Sequence, residues 1–234
     1  HQLNRGRAHL FEPGLEEGLQ THLGGNLVVE DHLPSTSPEF VILCVSTPVG
    51  SGNVPDLRNL ESAAQAVAEN INDSATVIVR STVPVGTSRK VVLPALRSKY
   101  SNVYLAACPE RTIQGKALEE LRLLPQVVGG LDDASQQRAT RLWQQVSQRV
   151  VPVSSLEAAE MVKLINNCHT DLLYSFGNEV AMMAGQLQLD PTEVIGAANL
   201  DYPRPDLARP GFVAGPCLTK DSYLLINSFN NSGY

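Results

Sequence analysis

The sequence predicts an α/β fold, with a parallel sheet flanked by helices, then a long central helix and a small all-α segment. Three observations carry this expectation. From residue 27 to about residue 153, short β-branched runs alternate with amphipathic stretches. Those runs are continuously apolar rather than strictly alternating, as a sheet buried on both faces requires. After Ser154 the pattern changes to a single helical periodicity sustained to about Gly185.

In chain order, the strand candidates are Leu27–Glu30, Phe40–Val45, Thr76–Arg80, Val103–Ala107, Gln126–Gly129 and Arg149–Val153. Between them Asp56–Ile71, Gly86–Lys99 and Asp132–Gln148 read as amphipathic helices. Pro94 should kink or shorten the second, because its ring has no N–H and crowds the preceding turn. Ser154 and Glu157 have the Ser-x-x-Glu spacing of a capping box and mark the start of the long helix. Ala158, Val162, Ile165, Leu172, Phe176, Val180 and Met183 follow as one apolar stripe. A helix of about 45 Å exceeds the needs of one βαβ unit, so it should span between domains or pair with another subunit. Lys163, Asn167, Thr170, Tyr174 and Asn178 lie away from that stripe. A further helix should begin at Asp190-Pro191, with Asp190 as cap and Pro191 at the first helical position. Beyond Leu200 the Pro- and Gly-rich stretch to Cys217 reads as a loop, and the polar end, 227–234, should fray. There is no internal repeat and no low-complexity tract.

Composition narrows the function classes. With 43% hydrophobic and 18% charged residues among 234, the chain can bury an ordinary globular core. A formal net charge of -6 argues against nucleic-acid and anionic-membrane partners, which select clustered Lys and Arg. No apolar run reaches membrane-spanning length, and the polar residues His1 to His9 do not resemble a signal peptide. Cys44, Cys108, Cys168 and Cys217 form no C-x-x-C pair, and the histidines show no H-x-x-x-H spacing. Neither a zinc site nor a disulfide framework is expected, and reduced cysteines fit a cytoplasmic protein.

The chemistry-bearing residues fall in loops, at strand ends and on the long helix. Gly215-Pro216-Cys217-Leu218-Thr219-Lys220-Asp221 presents a thiol, an ammonium and a carboxylate within one turn region. A thiol beside a cation can ionise and attack a carbonyl, and a carboxylate can handle the protons that follow. Ser46-Thr47-Pro48, Ser81-Thr82-Val83-Pro84-Val85-Gly86-Thr87 and Cys108-Pro109-Glu110-Arg111 each follow a predicted strand, where ligands bind in open α/β sheets. Each alone also reads as a common turn or helix cap. Lys163 and Asn167, four apart, share one helical surface, either solvated or aimed at a substrate oxygen. No Gly-x-Gly-x-x-Gly is present; Gly50-Ser51-Gly52-Asn53-Val54-Pro55 lacks the third glycine. The expected architecture is therefore an incomplete Rossmann-like parallel sheet.

Taken in order, Ser-Thr-Pro at 46–48, Ser-Thr-Val-Pro-Val-Gly-Thr at 81–87, Pro-Glu at 109–110, Lys163 with Asn167, Asn178-Glu179, Pro-Arg at 203–204 and Gly-Pro-Cys-Leu-x-Lys-Asp at 215–221 resemble the UDP-glucose/GDP-mannose dehydrogenase family. The resemblance also takes in Asn4-Arg5-Gly6 and Glu12-Pro13-Gly14-Leu15. It implies an NAD-dependent nucleotide-sugar 6-dehydrogenase, truncated at both ends. Residues 1–153 would form a partial NAD-binding domain, and residues 154–234 a central helical dimerisation domain carrying the thiol loop. By this resemblance Cys217 is the nucleophile that captures the sugar aldehyde. Lys163 and Asn167 stabilise negative charge on the substrate oxygen, and Asp221 holds a catalytic water. Thr82 and Glu110 position water for thioester hydrolysis, while Thr47, Ser81, Thr82 and Lys220 contact NAD. The partners implied are a UDP-hexose or UDP-N-acetylhexosamine and a second copy of the chain, with the Cys-Pro-Glu-Arg and Gly-Pro-Cys-Leu segments closer to the N-acetylhexosamine branch. Two departures stand out: Ala214 replaces a glycine before the Gly-Pro-Cys turn, and Gln114 stands where relatives carry an acidic residue. Two rivals remain, a non-catalytic dimerising remnant and a two-electron hydroxyacid dehydrogenase, which leaves Cys217 unexplained.

Overall fold

The computed structural model describes residues 2–33, 37–204, 206–213, 215 and 217–229. They divide into two compact units, His1–Thr47 with Asp56–Glu160 and Pro48–Pro55 with Met161–Tyr234.

The first unit is built on a five-stranded sheet with β1 (Phe40–Leu43), β2 (Thr76–Val79), β3 (Tyr104–Ala107), β4 (Gln126–Gly130) and β5 (Val150–Val153) side by side in that order. Pairing is parallel from β1 through β3, in register from Phe40 opposite Thr76 to Leu43 opposite Val79 and onward to β3. It is parallel again between β4 and β5. The α/β class is as expected, but one connection differs: β4 runs antiparallel to β3, with Ala106 opposite Gly130. The reason lies in the intervening helix, Ala117–Leu123, which buries no residue. A crossover helix must cover the sheet to carry the chain to its far edge. This short helix only leans on the core through half-buried Leu121, and the chain re-enters from the edge it left.

A second correction concerns Leu27–Glu30, which joins no ladder. The N–H of Leu27 donates to the carbonyl of His22 and its carbonyl accepts from the N–H of Gly24, each at 3.0 Å. Both groups that strand pairing needs are committed to the turn that follows the helix Leu15–His22.

Helices pack on the sheet through spaced small and apolar residues. The helix Arg58–Asn70 buries Leu60, Ala64, Val67 and Ala68, one face at helical spacing. The helix Asp133–Trp143 is capped by Asp132, which accepts from the N–H of Ser135 at 2.7 Å. Its Ala139 and Trp143 meet Ile78, Ala106, Cys108 and Val128 in the core. Glycine is needed at 129, where a Cβ would stand 2.0 Å from the carbonyl oxygen of Ser155. The expected helix after Gly86 forms as a π-helical turn, Ser88–Val92, leading into a short α-helix, Leu93–Arg97, with Pro94 in its first turn. Pro94 thus shortens the helix as expected.

The long helix runs from Leu156 to Gln186, 31 residues. Its cap is Ser155 rather than Ser154: the Ser155 hydroxyl accepts from the N–H of Ala158 at 3.1 Å. The helix begins one residue later than the Ser-x-x-Glu pattern suggested, with Ser155 three residues before the N–H it receives. Also in the first unit, Glu160 is buried, and its carboxylate accepts from the N–H groups of Gly86 (2.5 Å) and Ser88 (2.8 Å). It fills the anion-favouring end of the segment that starts there.

In the second unit the long helix continues and is followed by Pro191–Asn199 and Leu218–Ser228, the latter meeting it through Asp221 and Ser222. Asp190 accepts from the N–H of Thr192 at 2.8 Å and Pro191 leads the helix, as predicted. The predicted apolar stripe does not form a core. Ile165, Leu172, Phe176 and Met183 are exposed, while Leu164, Gly177 and Ala184 are buried. Two asparagines fix the loop that precedes Cys217. Asn178 exchanges two hydrogen bonds with the backbone of Gly211, and Asn199 two with that of Leu207. Of the end expected to fray, Asn227 and Ser228 are helical, and 230–234 lie outside the described residues.

Candidate active site

Each unit carries part of the predicted set. In the second unit, Cys217 is exposed at the N-cap of the last helix. Lys220 and Asp221 follow in its first turn, where the N–H of Asp221 donates to the carbonyl of Cys217 at 2.9 Å. Asp221 is only 1% exposed. Its Oδ1 accepts from Lys220 Nζ at 2.6 Å and its Oδ2 from Asn167 Nδ2 at 2.5 Å. A buried carboxylate held by a cation and an amide keeps one orientation. Lys163 lies one turn before Asn167 on the same helix. Beside this group, Ser222 donates to Asp171 Oδ2 at 3.0 Å. Burial raises the Cys168 thiol above its ordinary range, against the Ser222 hydrogen bond. Ser222 and Asp171 were not singled out from sequence, although Asp171 stands four residues after Asn167. Ala214 and Pro216 lie outside the described residues.

In the first unit the motifs after β1, β2 and β3 do end those parallel strands on one edge of the sheet. Their hydroxyls, however, are mostly committed to the backbone. Ser81 Oγ donates to the carbonyl of Val45 (2.7 Å) and accepts from the N–H of Val45 (2.8 Å). Thr47 Oγ1 donates to the carbonyl of Thr82 at 2.5 Å. The two residues stitch neighbouring strand ends together, leaving Thr82 half-buried between them.

Glu110 is held most firmly. Its Oε1 accepts from the N–H groups of Arg111 (2.7 Å) and Thr112 (2.8 Å), and its Oε2 from Arg80 (2.5 Å to Nη2). Burial pushes this carboxyl up, but the Arg80 charge and those N–H groups outweigh it and leave it below its usual range. Cys108, beside it, is driven up to about 12, chiefly by burial. Burial also raises Cys44, which Arg80 partly offsets. Glu12 is nearly buried, and its carboxylate accepts from the N–H groups of Gly115 and Ala117, each at 2.7 Å, steadying the loop that contains exposed Gln114. Sequence reasoning took Arg80 only as the last residue of a strand candidate, and Glu12 only as part of a motif. Among the described residues no cluster of His, Cys, Asp and Glu could hold a metal ion.

The carboxyl edge of β1, β2 and β3 fits a dinucleotide site by position. The paired groups around Asp221 fit carbonyl chemistry by their donors. Comparison with known proteins points the same way. The model of the UDP-glucose/GDP-mannose dehydrogenase family, NAD binding domain, matches residues 1–147, and that of the family's central domain matches residues 157–234. The chain is 35% identical to the UDP-N-acetyl-D-mannosamine dehydrogenase of Pyrococcus horikoshii, over 97% of its own length and 56% of the relative's. It superposes on a solved UDP-D-ManNAc dehydrogenase from Pyrococcus horikoshii with a TM-score of 0.89 at 34% identity, covering 100% of this chain and 56% of that one. The corresponding figures for a UDP-glucose dehydrogenase from Pyrobaculum islandicum are 0.84 and 29%, covering 99% and 56%. The chain thus spans little more than half the length of these relatives.

Proposed function

The chain belongs to the UDP-glucose/GDP-mannose dehydrogenase family, and from that premise we propose that its residues serve the NAD-dependent oxidation of a UDP-sugar C6 alcohol to the uronic acid. The observation that carries this reading is the exposed Cys217 at a helix N-cap, one turn from an Asp221 fixed by Asn167 and Lys220. The names of several relatives favour a UDP-N-acetylhexosamine as substrate.

Oxidation of a primary alcohol to an acid removes two hydrides, and NAD, when bound, takes up one in each oxidation. Cys217 holds the intermediate aldehyde between them as a thiohemiacetal, with the new C–S bond formed and the thiol proton passed to the sugar oxygen. Loss of the second hydride leaves a thioester on the sulfur, which water cleaves to the acid. Lys163 and Asn167 stabilise charge on the reacting oxygen. Asp221 holds the catalytic water and assists its proton transfer, and Thr82 and Glu110 orient water for hydrolysis. Thr47, Ser81, Thr82 and Lys220 are the candidates to hold NAD. With the hydroxyls of Thr47 and Ser81 turned to the backbone, these two act by shaping the strand ends.

The 234 residues alone lack a Gly-x-Gly-x-x-Gly cradle, whose backbone N–H groups would grip a pyrophosphate. This polypeptide by itself is therefore expected to turn over slowly. NADH should be released at two per uronic acid, and Cys217→Ala should abolish its formation. One NADH per product would favour a two-electron dehydrogenase. The alternative is a non-catalytic dimerising chain, and calorimetric titration with NAD and a UDP-N-acetylhexosamine decides first; absence of heat from both supports that alternative. The exposed stripe of the long helix supports a homodimer. No helix among the described residues is long and apolar enough to cross a membrane, and the reaction fits a cytoplasmic site.

A further inference from the structure

Arg80 ends β2 and is 5% exposed, a burial that arginine rarely tolerates without partners. Its Nη1 donates to the carbonyl of Cys108 and to Gln126 Oε1, each at 3.0 Å, and lies 3.5 Å from Cys108 Sγ. Gln126 is itself tied, its Nε2 donating to the carbonyls of Leu121 and Leu124. The guanidinium stacks on Trp143, 4.2 Å from the ring centroid. Backed in this way, Arg80 turns Nε (3.1 Å) and Nη2 (2.5 Å) toward Glu110 Oε2. Two N–H groups occupy the other carboxylate oxygen. Four donors match the roughly four lone-pair sites of a carboxylate, so Glu110 has little reason to take a proton. Its side chain nonetheless keeps 41% of its surface exposed, and water reaches it.

We infer that Arg80 is the positioning residue for Glu110, holding it as a fixed anion that orients water by its charge and carries no proton away. This rests on the role proposed above for Glu110 in thioester hydrolysis. In that step the water oxygen bonds to the acyl carbon as the C–S bond breaks. One water proton ends on the departing sulfur, and the acid formed then ionises to solvent. The titratable and charged groups facing Glu110 are Arg80, Cys108 and Cys44, with Arg111 adjacent in sequence.

The test uses the 234-residue chain, carrying glutamate labelled with carbon-13 at the carboxyl. The Glu110 resonance is assigned by its loss in Glu110→Gln. Its titration midpoint should lie below the ordinary value of about 4.3 and should rise by about one to three units in Arg80→Gln. Should that variant fail to fold, Arg80→Lys, which keeps the charge but loses the fork, should show a smaller rise. A folded variant with an unchanged midpoint overturns the pairing. In parallel, Cys217 is acylated with p-nitrophenyl acetate and decay of the acyl group is followed by mass spectrometry. Decay should slow about tenfold in Glu110→Gln and in Arg80→Gln, with partial recovery in Arg80→Lys. Slowing in Glu110→Gln alone overturns the positioning role. If Cys217 takes no acyl group, the catalytic reading falls, and the titration still decides whether Arg80 holds Glu110.

Discussion

At the scale of single residues, the buried carboxylates separate by what they bind. Asp221 meets a cation and an amide side chain, as a group placed for chemistry does. Glu12 and Glu160 instead accept backbone N–H groups and act as caps. Burial raises the Glu160 carboxyl, and its hydrogen bonds from Ser88 and Gly86 only partly offset this. The folded state therefore binds this proton more tightly than the unfolded chain. The group's contribution is complete below the ordinary value of about 4.3 and declines as pH rises through the raised folded value. Glu160→Gln deletes that decline. The urea midpoint of the natural chain minus that of the variant should fall as pH rises above about 4.3. A difference that rises with pH contradicts the assignment. Residue identities at the candidate site were legible because the motifs are contiguous in sequence. What their hydroxyls bind was not, since Ser81 reaches Val45 and Thr47 reaches Thr82 across more than thirty residues of chain.

At the scale of elements, local signals were read well and distant ones poorly. Asp190 caps where expected because a cap is decided within a few residues. The direction of β4 depends on whether the preceding helix finds a face to bury, which no local pattern states. Leu27–Glu30 had a strand's composition but lost its backbone groups to a turn. The start of the long helix offers a direct comparison of adjacent serines. Ser155→Ala should destabilise the fold by about 1 kcal/mol, a loss of about 2–4 °C in Tm for a chain of this size. Ser154→Ala should change stability by less than about 0.5 kcal/mol. Thermal melts of the two variants check this, and the reverse ranking would return the cap to Ser154.

At the scale of the whole chain, the exposed side chains of the long helix matter most. Leu172 at 65% and Phe176 at 51% exposure leave apolar surface that water solvates poorly. The sequence showed the stripe, but periodicity alone cannot say whether a stripe faces the chain's own core or another molecule. The proposed homodimer would cover it. Sedimentation velocity should show a dimer for the natural chain and a monomer for Leu172→Arg with Phe176→Arg, and a monomeric natural chain would remove the proposal. The reversal at β4 has an electrical side. Three strands point one way and two the other, so their small dipoles largely cancel across the sheet. Glu160 likewise neutralises the positive end of the helical segment at Gly86. At Gly86 and across the sheet, backbone polarity is thus offset locally, and the fixed side-chain charges weigh more in the field there.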